Sequence, residues 1–150
     1  MTQLNSIPEL ELEVKRMLEL LTPGADSATV VTLSGGLGAG KTTFAKILAK
    51  QLAVDEDVTS PTFVIERIYQ LPAGQKFARL IHIDAYRLAS AHDLEVLGWK
   101  DVIKDPSNLI LVEWPEMVEG AIPDGAIRVK IEWISETERD ITILQDARVQ

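Results

Sequence analysis

Apolar residues recur at helical spacing near the start of the chain, and charged residues fill the positions between them. The apolar positions are Leu10, Val14, Met17, Leu18 and Leu21. This spacing is typical of one apolar side of an amphipathic helix. Ser6 and Glu9 are three residues apart, as in a capping box, and Thr22-Pro23-Gly24 is a helix stop. The pattern predicts an amphipathic helix that opens the domain.

Short runs of β-branched and apolar residues alternate with helical segments along the rest of the chain. These runs predict buried strands at residues 28–33 and 109–113, and further strands at 63–70, 77–84, 126–133 and 140–144. Helices are predicted at residues 42–52 and 90–103, the second with Ser90 and Asp93 spaced as another capping box. The last two strands flank the polar turn Ser135-Glu136-Thr137-Glu138, which predicts a closing hairpin.

Composition limits the classes of protein to consider. The chain has 150 residues, 46% of them hydrophobic and 25% charged, which fits one globular domain over residues 1–150. It contains no cysteine, so disulfides and thiolate metal sites are excluded. The net charge of −8 argues against a broad basic surface for a nucleic-acid backbone. Acidic residues interrupt the apolar positions near the N-terminus, so we expect no signal peptide. The apolar stretches elsewhere are far shorter than the ~20 residues that cross a bilayer, so we expect no membrane span and a cytoplasmic location.

The segment Gly35-Gly36-Leu37-Gly38-Ala39-Gly40-Lys41-Thr42 fits the pattern G-x-x-x-x-G-K-[ST] between a predicted strand and a predicted helix. Glycines let successive N–H groups turn towards phosphate oxygens, and a helix N-terminus adds positive potential. Lys41 should reach the β- and γ-phosphates, and the Thr42 hydroxyl should coordinate Mg²⁺. The alternative is a glycine-rich turn with an exposed lysine.

The fold that these signals predict is an α/β, P-loop NTPase-like single domain. A central, mostly parallel sheet should be flanked by helices and should end in a C-terminal antiparallel hairpin. The predicted strand at 109–113 ends in Glu113, as expected of the strand that supplies an acidic group near Mg²⁺. The Glu113 carboxylate would bind the metal, its water shell or the attacking water. The alternative is a carboxylate at an exposed strand end.

His82 and Asp84 alternate with Ile81 and Ile83, so on a strand they share one face. This pair has too few ligands for zinc. Asp84 either orients water or Mg²⁺ near the γ-phosphate, or it caps the turn before Tyr86.

Ser60-Pro61-Thr62-Phe63 is either a turn that opens a strand or a switch in which Thr62 senses the γ-phosphate. Three tryptophans, Trp99, Trp114 and Trp133, are expected to be packing residues. Trp114 directly follows Glu113 and is therefore also a candidate to line the site.

The order of the motifs resembles that of the TsaE (YjeE) family. The matching segments are Gly36 to Thr43, Ser60-Pro61-Thr62-Phe63, His82-Ile83-Asp84-Ala85-Tyr86-Arg87, Leu94-Glu95-Val96-Leu97-Gly98 and Leu111-Val112-Glu113-Trp114-Pro115-Glu116. The family comprises small bacterial ATPases of the machinery that makes threonylcarbamoyladenosine beside the anticodon of tRNAs reading codons that begin with A. They act with TsaB and TsaD, after TsaC has made threonylcarbamoyl-adenylate, and are thought to reset the complex by hydrolysing ATP.

The resemblance implies a role for each matching residue. The phosphate-binding loop would comprise Gly38, Ala39, Gly40, Lys41, Thr42 and Thr43. Thr42 and Glu113 would hold Mg²⁺. The catalytic residues would be Lys41, Glu113 and Asp84, with Asp84 as the catalytic or water-orienting carboxylate. Thr62 would be a switch residue, Trp114 would lie beside the nucleotide, and Arg139 would lie near the base.

The implied function is an accessory ATPase with ATP and Mg²⁺ as ligands and TsaB and TsaD as partners. The acidic chain would meet tRNA only through that complex, and we expect the isolated protein to be a monomer. Arg87 in the chain or an arginine from a partner would complete the site, so the isolated ATPase should be slow.

Three other classes of protein use the same loop. A small-molecule kinase needs an acceptor site and a lid. A GTPase needs Asn-Lys-x-Asp, whereas the candidate stretch Lys104-Asp105-Pro106-Ser107-Asn108 has the wrong order. A nucleotide-gated binding module would switch without significant hydrolysis.

The chain departs from the family pattern in two places. Family members commonly carry Asp after the first glycine of the loop, where this chain has Gly36, and residues 99–102 are less similar to the family. The second departure leaves the partner contacts in that segment undefined.

We predict that Gly36→Asp raises the rate of ATP hydrolysis, because it restores a carboxylate and stiffens the loop backbone. Phosphate release by the variant and the wild type under the same conditions measures the effect. Equal turnover of the two proteins would contradict the prediction.

Overall fold

The computed structural model describes residues 2–36, 38–55 and 65–145. Its regular elements are β1 (Thr2–Leu4), α1 (Ile7–Leu20), β2 (Thr29–Ser34), α2 (Lys41–Gln51), β3 (Glu66–Gln70), β4 (Arg79–Asp84), α3 (Ala91–Val96), α4 (Trp99–Ile103), β5 (Asn108–Glu113), β6 (Ile127–Trp133) and β7 (Arg139–Gln145). Two short 3₁₀ turns, Pro115–Met117 and Glu119–Ala121, follow β5. In the described part of the chain no helix is long and apolar enough to cross a membrane.

The described strands form one sheet in the order β1-β7-β6-β2-β5-β4-β3. The four central strands β6, β2, β5 and β4 run parallel to one another. At one edge β3 pairs antiparallel with β4, and at the other β7 pairs antiparallel with β6 and β1 with β7. The predicted α/β fold with a mostly parallel centre and a C-terminal antiparallel hairpin is confirmed.

Helices cover both faces of the central strands, which explains why those strands are continuous apolar runs. On one face α1 and α2 pack through Val14 and Phe44 against Leu33 and Leu111. On the other face α3 and α4 form the second core, which includes Leu94 and Trp99. Because the register aligns Leu33 of β2 and Asp84 of β4 with Glu113 of β5, the ends of these three strands lie side by side.

Side chains hold both ends of α1. At its start the Ser6 hydroxyl accepts the Glu9 N–H at 3.4 Å, and the Glu9 carboxylate accepts the Asn5 N–H at 2.7 Å. The Ser6 half of the predicted capping box is confirmed, whereas the Glu9 carboxylate accepts the Asn5 N–H instead of the Ser6 N–H. At the other end Lys76 Nζ donates to the carbonyls of Leu18, Glu19 and Leu21 at 3.1, 3.3 and 2.8 Å. This ammonium satisfies carbonyls that a helix end otherwise leaves to water.

The predicted helix over residues 90–103 is wrong in one respect, because the structure has two helices there. Gly98 has φ +87°, a left-handed conformation that ends the first helix and begins the second. The predicted capping box at the start of α3 forms only in part. The Asp93 carboxylate accepts the Ala89 N–H at 2.8 Å, but in the described part of the chain the Ser90 side chain accepts no N–H of the helix.

Three further sequence predictions differ from the structure. β4 begins at Arg79, two residues later than predicted, and β1 is an additional strand. Trp133 is 55% exposed and not a core residue, because it is the last residue of β6 and the core residues of that strand end at Ile131. Residues 63 and 64 of the predicted strand 63–70 lie outside the described residues, and its described part contains β3.

Asp105 links the beginnings of two parallel strands. Its carboxylate accepts the Ser107 N–H at 2.9 Å and an Arg79 N–H at 2.6 Å. The Ser107 N–H, followed by the smaller effect of Arg79, lowers the pKa of this carboxyl. The carboxylate thus favours the folded state most when it is ionised.

We predict that Asp105→Ala lowers the melting temperature at about neutral pH, and that the difference in melting temperature from the wild type shrinks on acidification. A carboxyl whose folded pKa is lowered stabilises the fold above its unfolded pKa of about 3.9, and this stabilisation is lost as the pH falls through the folded value. Thermal melts over the acidic range measure the effect, with Asp26→Ala at an exposed site as the control. The same loss at all pH values would contradict the prediction.

Candidate nucleotide-binding site

The glycine-rich segment joins the carboxyl end of β2 to the first turn of α2. Gly38 and Gly40 have φ values of +77° and +111°, which side-chain-bearing residues rarely adopt. Gly40 is the residue before α2, so that no side-chain oxygen caps the helix there. The N–H groups of the first turn are thus available to an anion, and the helix adds its positive end.

Gly35 brings this loop against the neighbouring strand. A Cβ at Gly35 would lie 2.4 Å from the Ile131 carbonyl oxygen and 3.3 Å from Ala39 Cβ, and its φ is +149°. At Gly36 a Cβ would meet nothing within 4 Å, so the structure accommodates a side chain there. Close approach to β6 thus depends on the first glycine and not on the second.

Lys41 is folded back into the mouth of the loop. Only 8% of the residue is exposed, and its Nζ donates to the Gly35 carbonyl at 2.8 Å. The ammonium also lies 3.4 Å from the centroid of the Trp114 ring, a cation–π contact. Burial lowers the pKa of Lys41, while the carboxylates of Glu113 and Asp84 act against that effect. The alternative of an exposed lysine on a glycine-rich turn is contradicted.

Glu113 ends β5 in a buried position. The residue is 3% exposed, and its Oε2 lies 2.6 Å from Nε2 of His82, which is 1% exposed. The alternative of a carboxylate at an exposed strand end is therefore wrong. His82 and Asp84 share a face of β4, as predicted, and that face is also the face of Glu113, towards α2.

Asp84 lies beside Glu113 at the end of β4. Its carboxylate accepts the Tyr86 N–H at 3.0 Å, so the turn-capping role is confirmed. Burial raises the pKa of Asp84, the Tyr86 N–H lowers it, and the negative charge of Glu113 raises it further. The water-orienting role stays a prediction, and the position beside Glu113 is compatible with it.

Trp114 turns the chain away from the sheet directly after Glu113. It has φ +58°, unusual for a residue with a side chain, and its N–H donates to the Leu33 carbonyl at 3.2 Å. Its ring packs against Tyr86 with centroids 4.9 Å apart, and against Lys41. The left-handed turn therefore places the indole at the mouth of the loop.

A cavity of about 290 Å³ adjoins the other side of the loop. Its lining includes Ala39, Gly40 and Thr43 of the loop, Asn5 before α1, and Arg139. The Arg139 guanidinium donates to the carbonyls of Ser135 and Glu138 at 2.5 and 2.9 Å, which holds the turn of the β6–β7 hairpin closed. The cavity has the size of a small ligand subsite.

The structure thus divides the residues predicted for the site into groups. Lys41, Asp84, Glu113 and Trp114 lie together at one side of the loop, whereas Arg139 borders the cavity at the other side. Gly38, Ala39, Gly40, Thr42 and Thr43 belong to the loop and the first turn of α2. Thr62 lies outside the described residues, as does Leu37 of the loop.

Sequence reasoning missed the contact between His82 and Glu113. The alternating pattern predicts that His82 and Asp84 share one face of their strand. It does not predict that Glu113 is the neighbour of His82, because this depends on the order of the strands in the sheet. Within residues 2–36, 38–55 and 65–145 no group of three or more acidic or histidine side chains is arranged to hold a metal. This is compatible with Mg²⁺, which proteins bind through one or two side chains together with phosphates and water.

The parallel strand, the glycine loop and the following helix define a class of protein: a P-loop NTPase-like α/β domain. A model of the family described as "Threonylcarbamoyl adenosine biosynthesis protein TsaE" matches residues 8–141. The chain belongs to the TsaE family.

Individual relatives agree with the family match. The chain is 34% identical over 118 residues to the tRNA threonylcarbamoyladenosine biosynthesis protein TsaE of Treponema pallidum, covering 79% of this chain and 83% of the relative. It is 35% identical over 130 residues to the protein of the same name from Bacillus subtilis, covering 87% and 78%. The crystal structure of Bacillus subtilis YdiB superposes with a TM-score of 0.74 at 26% identity, covering 98% of this chain and 85% of that one.

We predict that Gly35→Ala destabilises the fold by about 1–3 kcal/mol, because its Cβ would collide with backbone at a φ that alanine disfavours. The Gly36→Ala variant is the matched control, since a Cβ meets nothing there. Chemical denaturation of the two variants measures the difference. Equal stability of both variants would contradict the close approach of Gly35 to β6.

Proposed function

We propose that the protein binds and hydrolyses ATP with Mg²⁺, and that it acts as an accessory factor in tRNA threonylcarbamoyladenosine biosynthesis. The observation that carries this proposal is the position of Lys41. Its ammonium lies in the mouth of a glycine loop, within electrostatic reach of Asp84 and Glu113 at the ends of two neighbouring strands. This is the set of groups that phosphoryl transfer to water requires.

Phosphate binding would use the backbone N–H groups of the loop together with Lys41. A helix N-terminus alone contributes about 0.3–1 kcal/mol, and up to ~2 in partly buried sites. Micromolar affinity needs about 8 kcal/mol, so several N–H bonds and the lysine must act together. The ammonium would exchange the Gly35 carbonyl and the Trp114 ring for phosphate oxygens. Because these contacts keep Lys41 inside the loop, the exchange needs little movement of the backbone.

The residues present fit a Mg²⁺ site next to the phosphates. Thr42 in the first turn of α2 and Glu113 at the end of β5 would hold the ion, which neutralises charge on the β- and γ-phosphates when bound. Asp84, beside Glu113, would orient the attacking water. Arg87 or an arginine from a partner would complete the charge stabilisation, which makes the isolated ATPase slow.

The base would enter the cavity on the other side of the loop. The loop residues Ala39, Gly40 and Thr43 line this cavity on one side, and Arg139 of the β6–β7 hairpin lines it on another. Its wall also contains the segment between β1 and α1, including Ser6. The additional strand β1 thus closes one wall of the proposed base site.

The place in tRNA modification follows from the family. The relatives from Treponema pallidum and Bacillus subtilis carry tRNA threonylcarbamoyladenosine biosynthesis in their names. We propose TsaB and TsaD as the partners, with tRNA contacted through their complex, in agreement with the net charge of −8. The protein would act in the cytoplasm, as a monomer when it is alone.

We predict that purified protein releases phosphate from ATP slowly, and faster with TsaB and TsaD. Lys41→Ala and Glu113→Ala should each reduce the stimulated rate by about 100-fold or more, the size of effect seen when one charge-stabilising group is removed. Lys46→Ala is the matched control, because this lysine lies on the exposed face of the same helix.

Three outcomes would contradict the proposal. Fast hydrolysis by the isolated chain that TsaB and TsaD do not change would argue against an accessory role. Phosphate transfer to an added metabolite, with no effect of those proteins, would identify a small-molecule kinase instead. Nucleotide binding without partner-stimulated hydrolysis would identify a nucleotide-gated binding module.

A further inference from the structure

His82 is a buried polar residue whose role the proposed reaction does not explain. It lies inside β4, with its side chain on the face that packs towards α2. The side chains of His82 and Glu113 are 2% and 4% exposed, and Nε2 and Oε2 are 2.6 Å apart. Buried polar side chains are costly unless they are hydrogen-bonded, so this contact fixes both groups.

The geometry of the pair is set by the sheet. His82 aligns with Leu111 in the parallel register, so Glu113 is the diagonal neighbour two residues further along β5 on the same face. Backbone hydrogen bonds between β4 and β5 therefore hold the imidazole relative to the backbone of Glu113. A bond from Nε2–H to Oε2 then removes the rotational freedom of the carboxylate.

A carboxylate fixed in this way is suited to bind a metal ion. Groups that hydrogen-bond to metal ligands orient them, and removing such a group typically weakens metal binding by about 10- to 100-fold. Glu113 is the strand-end carboxylate within electrostatic reach of Lys41. We propose that His82 is a positioning residue, which holds Glu113 in the orientation that binds the divalent cation of the nucleotide complex. This inference rests on the proposed function.

The alternative is that His82 only fills space in the core beside Leu111. A set of variants separates the two roles. His82→Leu fills the site without a donor, His82→Gln places an amide near the Nε2 position, and His82→Asn is polar but too short to reach Oε2. His92→Gln is the control, because the His92 side chain is 77% exposed on α3.

The experiment is a titration of Mn²⁺ into each full-length variant saturated with ADP, with free Mn²⁺ measured by electron paramagnetic resonance. ADP affinity in the presence of a chelator is measured in parallel, together with thermal stability. We expect His82→Leu and His82→Asn to bind Mn²⁺ about 10- to 100-fold more weakly. His82→Gln should stay within about 3-fold of wild type, and ADP affinity without metal should not change. If His82→Leu fails to fold, the comparison of His82→Gln with His82→Asn carries the test.

The other outcomes are distinguishable. If all folded variants bind Mn²⁺ as the wild type does, the positioning role is overturned and the proposed function stands. The role is also overturned if His82→Gln is weakened as much as His82→Asn, since the hydrogen bond is then not what matters. If the wild type binds ADP but takes up no Mn²⁺ beyond that bound by ADP alone, both the metal site and the role of His82 are overturned.

Discussion

The close approach of the loop backbone to β6 is the constraint on which the site depends. Gly35 can lie against the Ile131 carbonyl only because it has no side chain. On the other side of β2, the Trp114 N–H bonds to the Leu33 carbonyl. The end of β2 is therefore fixed between two neighbouring strands. From this fixed point the loop enters α2 and places Lys41 against the Gly35 carbonyl.

The parallel register adds the acidic groups to this loop. Because the carboxyl ends of β2, β5 and β4 meet at one edge, Glu113 and Asp84 lie side by side near the lysine. Burial works against the charge of Lys41 and against that of Asp84, whereas the opposite charges favour both ionised forms. The site therefore carries charges of both signs in partly buried surroundings. A nucleotide with its metal brings both signs of charge, which such a site can accept.

Much of this architecture could be predicted from local sequence. The loop is recognisable because glycines, a lysine and a threonine stand at fixed spacing, and the buried parallel strands are recognisable as continuous apolar runs. What could not be predicted depends on distant neighbours or on very short elements. β1 has only three residues, too few to show an alternation of apolar and polar positions, and it forms by pairing with β7. The contact of His82 with Glu113 depends on which strands are adjacent, and the helix break depends on the left-handed conformation of Gly98.

The account is tested most directly by a crystal structure of the protein with Mg²⁺ and a non-hydrolysable ATP analogue. It predicts that Lys41 Nζ leaves the Gly35 carbonyl and the Trp114 ring for the β- and γ-phosphates, while the backbone of Gly35 stays against β6. Glu113 would then lie at the Mg²⁺ ion with its bond to His82 intact. Phosphates bound elsewhere, with Lys41 still on the Gly35 carbonyl, would contradict it.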